Sequence, residues 1–92
     1  MDLIKLRERI DEIDEEIIKQ FSARMRVSVD VAHFKIQNSL PVYDAGREQR
    51  KLDDVLGKTD ADLHEYMEAL YLKIFELSRL CQDKIILDTE KH

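Results

Sequence analysis

Apolar residues recur at helical spacing from residue 3 to about residue 37, with no Pro or Gly to interrupt them. Steps of four and three trace one line: Leu3, Arg7, Ile10, Asp14, Ile17, Phe21, Arg24, Ser28, Val31 and Lys35, widened by Leu6 and Ile13. The pattern predicts a first helix over 3–37, with Asp2 as N-cap and Pro41 as the stop signal. A second, mostly polar helix is predicted over 45–56, after Asp44 as N-cap and before Gly57 as its C-terminal glycine. Its apolar residues are Leu52, Val55 and Leu56. A third helix is predicted over 60–88 on the line Leu63, Met67, Leu70, Ile74, Leu77, Cys81. Thr59 or Asp60 is its expected cap, with Asp62 able to complete a capping box from Thr59. No stretch alternates apolar and polar residues long enough for a strand. The expected architecture is all-α, one domain over 1–92, with helices in the order long, short, long.

Length sharpens this picture. A helix of that size is about 50 Å long, whereas a compact chain of 92 residues has a radius of gyration of about 12 Å. The first helix therefore overhangs any monomeric globule, and a second copy of the chain is the simplest cover for its apolar line. Composition narrows the class. Hydrophobic residues make up 43% and charged residues 38%, which suits helices with one apolar face. No apolar run approaches the ~18 to 20 residues of a membrane span, and the N-terminus lacks the pattern of a signal peptide. A single cysteine, Cys81, excludes an intrachain disulfide framework, so a reducing cytoplasm is expected. A net charge of −5 argues against nucleic acid, but not against a small anionic ligand bound by a local group of cations.

Three cations interrupt the apolar line of the first helix. Arg24 and Lys35 lie three turns apart, about 16 Å, and point the same way, so their long side chains can close on one ligand over Ser28 and Val31. Arg7 lies about 25 Å from Arg24 along the same axis and cannot join them. In an antiparallel pairing of two first helices it reaches the partner's site instead. Each cation could also pair with a carboxylate such as Asp11 or Asp14, or extend its charge to water. In the second helix, Arg47 and Glu48 stand in the first turn beside free N–H groups that attract anions. In the third, Ser78 and Gln82 form an i,i+4 pair of neutral donors, or equally an ordinary polar edge to the core. His33 and His64 have no partners at metal-ligand spacing. No phosphate loop or nucleophile–base motif is present.

The ordered set Leu6-Arg7-Glu8-Arg9-Ile10, Asp11, Asp14, Arg24, Lys35, Pro41-Val42-x-Asp44-x-x-Arg47-Glu48 and Ser78-x-x-x-Gln82 resembles the all-helical chorismate mutases across most of the chain. The resemblance implies a monofunctional, single-domain member: a homodimer of intertwined three-helix protomers with two equivalent sites. It implies a cofactor-free rearrangement of chorismate to prephenate, the branch step toward phenylalanine and tyrosine in the shikimate pathway. It further implies that Arg24, Val31, Lys35, Asp44, Arg47, Glu48, Ser78 and Gln82 line one site, with Arg7 supplied by the partner chain. Three positions depart from the pattern. Lys51 and Arg79 stand where relatives often carry apolar residues near the pocket, and Phe75 is bulky.

A pericyclic shift needs no nucleophile, which fits a chain without a nucleophile–base motif. The protein's task is to hold a flexible dicarboxylate in a compact geometry and to stabilise charge on the ether oxygen. Arg7 from the partner, Arg24 and Arg47 are the expected carboxylate clamps, aided by Ser78. Lys35 and Gln82 are the expected ether-oxygen donors, and Glu48, with the backbone near Asp44, the expected acceptor for the substrate hydroxyl. Two alternatives stand beside this reading: an isochorismate pyruvate lyase on the same scaffold, and a non-catalytic helical dimer or adaptor. Sequence does not reveal docking to another enzyme of the pathway.

Overall fold

The computed structural model describes residues 2–91. Three α-helices account for almost all of them: α1 (Leu3–Gln37), α2 (Ala45–Gly57) and α3 (His64–Glu90). No strand occurs among the described residues. Asp2 caps α1, its carboxylate accepting from Ile4 N at 3.0 Å. Asp44 caps α2 in the same way, accepting from Arg47 N at 2.9 Å. Each cap satisfies one of the backbone donors that a helix start leaves without a partner.

The helix ends differ from the sequence pattern. Gly57 is the last residue of α2 rather than a left-handed stop; Lys58 is the C-cap, in right-handed helical conformation, and no glycine has positive φ. The left-handed position belongs instead to Ser39, at φ 54°, just after α1. The capping box from Thr59 does not form. The Thr59 hydroxyl donates backward to the Val55 carbonyl at 2.6 Å and so serves the end of α2. Downstream, the chain makes a short 3₁₀ turn, Ala61–Leu63, before α3 begins. His64 Nε2 donates to the Thr59 carbonyl at 2.7 Å and closes this corner.

α1 packs on α3, and α2 packs on α3 but not on α1. The protomer measures 56 × 27 × 14 Å, with a radius of gyration of 16.7 Å. Every described residue of α1 up to Gln20 is exposed. Its large apolar residues there, Leu6, Ile10, Ile13 and Ile17 among them, keep 43–65% of their surface in solvent. The protomer's own core is thin: Ala32, Leu52, Ile74 and Phe75 are its buried apolar residues, joined by three polar ones, Ser28, Ser78 and Gln82. Buried polar groups are costly unless bonded, so a core rich in them points to a site.

Candidate active site

A cavity of about 360 Å³ opens where α1, α2 and α3 face one another, a size that suits a small organic ligand. Each helix contributes one face. From α1 come Arg24, Val27, Ser28 and Val31; from α2, Arg47, Glu48 and Lys51; from α3, Phe75, Ser78, Arg79 and Gln82. These offsets of three, four and seven are those of a single helix face.

Two bonds tie α1 to α3 along the wall. Arg24 Nη1 donates to Ser78 Oγ at 2.8 Å, and Lys35 Nζ donates to Gln82 Oε1 at 3.1 Å. Lys35 Nζ also donates to the Val42 carbonyl at 2.8 Å, so the connection after α1 helps hold the ammonium. Lys35 has only donors, so it decides which end of the Gln82 amide faces it. The oxygen faces Lys35 and Nε2 is left as a donor, with no hydrogen-bond partner among the described residues. Ser28, buried beneath, bonds back to the Arg24 carbonyl at 3.2 Å and is satisfied within its own helix. Arg24 and Arg47 form no ion pair among the described residues. Their guanidinium groups remain available to planar anions, which they can bind in two places at once.

The one carboxylate on the cavity wall is Glu48, and it is engaged. Both of its oxygens accept from Arg79 Nη1. That bond raises the Arg79 guanidinium above its ordinary range. Arg79 also lies over the Tyr43 ring, 5.1 Å from its centroid. Lys51 leans toward Asp54 at 3.6 Å, but Asp54 is held more closely by Lys58 at 3.0 Å. The Lys58 bond is the main reason the Asp54 carboxyl lies below its usual range.

The expected residues thus fall into three groups. Arg24, Val31, Arg47, Glu48, Ser78 and Gln82 line the cavity; Lys35 is not among the lining residues but bonds to Gln82, which is. Asp44 lies at the start of α2 with its carboxylate on the backbone, exposed and outside the cavity wall. Arg7 lies far along the exposed half of α1. Sequence reasoning did not assign the Val42 carbonyl or the Arg79–Glu48 bond. The carbonyl leaves no mark in residue type. Arg79, however, shares a helix face with Phe75, Ser78 and Gln82, and that spacing was a usable signal.

Residues 6–83 match the family model described as chorismate mutase type II. The chain is 35% identical over 86 residues to a bifunctional chorismate mutase/prephenate dehydratase from Buchnera aphidicola subsp. Baizongia pistaciae, covering 91% of this chain and 23% of that protein. It is 33% identical over 75 residues to a chorismate mutase from Methanocaldococcus jannaschii, covering 82% of this chain and 74% of that one. The bifunctional protein of Escherichia coli K12 is 33% identical over 87 residues, covering 91% of this chain and 22% of that protein. The chain therefore spans less than a quarter of the length of its bifunctional relatives. No solved structure gave a significant match.

Proposed function

The chain belongs to the chorismate mutase type II family, and from that premise we propose that it converts chorismate to prephenate. The observation that carries the reading is the convergence of Arg24, Ser78 and Gln82, on two helices, around a cavity also lined by Arg47 and Glu48, with the Lys35 ammonium bonded to Gln82. The reaction is a single intramolecular step. The ether C–O bond breaks as a C–C bond forms, and no proton or electron leaves the substrate. Arg24 and Arg47 clamp the carboxylates, with the Ser78 hydroxyl held beside Arg24 to complete the grip. Clamping selects the folded conformer in which the two carbons meet. As the C–O bond stretches, negative charge gathers on the ether oxygen. Lys35 Nζ and Gln82 Nε2 receive it, two donors already fixed before the substrate arrives.

The site is completed by a second copy. Arg7 stands about 25 Å from Arg24 along α1, too far to serve its own cavity. In a homodimer that pairs the exposed halves of α1, Arg7 closes the partner's site. Cytoplasmic residence suits the free thiol of Cys81.

The test is to add chorismate to purified protein and follow loss of its ultraviolet absorbance, with acid conversion of the product to phenylpyruvate. Absence of turnover overturns the reading. Release of pyruvate and salicylate from isochorismate, with chorismate untouched, replaces it by the lyase.

A further inference from the structure

α2 carries three cavity residues, yet little holds it in place. It packs on α3 and not on α1, and Leu52 is its only buried residue. Of the ion pairs among the described residues, Arg79 with Glu48 is the one that joins two helices. The others link residues three or four apart. Arg79 extends the same hold to the chain entering α2, through the Tyr43 ring. One side chain of α3 therefore grips both α2 and its approach.

The charges on the cavity wall give this grip a second consequence. Arg24, Arg47, Lys51 and Arg79 face one carboxylate, Glu48. A partly buried carboxylate takes whichever cation is within reach. Pairing with Arg24 or Arg47 would consume a donor that an anionic ligand needs. In the structure Glu48 pairs with Arg79.

We infer that Arg79 is a positioning residue of this site: through Glu48 it straps α2 to α3, and it keeps the cavity's carboxylate off the two arginines that receive the substrate. The kinetic consequence rests on the chorismate reading; the mechanical one does not. Two measurements separate them. Steady-state kinetics on chorismate are compared for the wild type, R79M, R79K, E48Q and the E48Q/R79M double variant. R79M raises KM on the order of tenfold, as coupled neighbours do, and leaves kcat within about threefold. R79K, which restores the charge, recovers most of the loss. In the E48Q background, where no carboxylate is left to stray, R79M changes KM by less than about threefold. Amide hydrogen exchange of the same proteins shows α2 exchanging faster in R79M, with α3 around Ile74 unchanged. An unchanged KM in R79M, an equal rise in both backgrounds, or unaltered exchange in α2 each overturns the inference. Should R79M fail to fold by circular dichroism, R79Q, polar but uncharged, carries the comparison: a KM raised in the Glu48 background but changed by less than about threefold in the E48Q background supports the strap, and an equal rise in both, or none, overturns it. A wild type that ignores chorismate defeats the functional reading alone, and the exchange measurement still decides the strap.

Discussion

Lys35 is held by two neutral oxygens, the Val42 carbonyl and Gln82 Oε1. No carboxylate competes for its charge among the described residues, so the full attraction of the ammonium is available to a developing oxyanion. Replacing it with Ala lowers kcat by on the order of a thousandfold, the scale expected for one fixed donor at a charge-developing atom. Steady-state kinetics read the loss, and a rate near wild type removes Lys35 from the mechanism. Gln82 carries a sharper test. An amide donates at every ordinary pH, whereas a carboxyl donates only while protonated. In Gln82→Glu the new carboxyl sits beside the Lys35 ammonium, which favours its ionised form. Activity is then lost at neutral pH and returns only as pH falls, a dependence read from kcat/KM against pH; a flat profile sinks the assignment. Much of this site was legible in sequence because Arg24, Lys35, Ser78 and Gln82 fall on regular helix faces. The hold on Lys35 by a backbone carbonyl was not, since any residue at position 42 offers the same atom. Nor was the bond from Arg79 to Glu48, because the partners lie 31 positions apart and only the tertiary fold brings them together.

The helices are where sequence spoke most clearly, and their ends are where it misled. Period and caps outlined α1 and the start of α2, since Asp2 and Asp44 act through bonds only two or three residues long. Gly57 misled because glycine permits a left-handed stop without requiring one. Thr59 misled because its hydroxyl had a nearer acceptor in the Val55 carbonyl behind it. α1 itself divides into two parts with different work. From Phe21 onward its residues begin to be covered, and Arg24 to Val31 form a cavity wall; before that it lies open to solvent. Arg7 belongs to the open part and Arg24 to the closed part, and the proposed dimer would have one helix serve two sites. The check is complementation. An Arg7→Ala chain and an Arg24→Ala chain, each nearly inactive alone, form heterodimers in which one site is intact. Mixing under exchange conditions restores up to about a quarter of the wild-type rate, the statistical share of intact sites for random pairing. No recovery, with heterodimers present, means that Arg7 does not act across the interface.

At the scale of the whole molecule, a protomer 56 Å long with seven buried residues among those described is short of interior. The exposed apolar residues of the first half of α1 each stand to gain roughly 1 kcal/mol on being covered. Together they rival the ~5–15 kcal/mol that separates a folded domain from its unfolded state. Sedimentation should therefore find a dimer, and Ile10→Glu with Ile17→Glu on the open stripe should abolish it together with activity. A monomeric wild type that remains active contradicts this. The length of α1 was enough to show that the apolar stripe overhangs; how the second copy lies against it was not legible, because sequence spacing fixes a face but not a crossing angle. The bare half of α1 has one more consequence. If folding and assembly are a single event, dilution acts as a denaturant: the melting temperature climbs with protein concentration, and turnover per chain sags in very dilute assays as the pairs come apart.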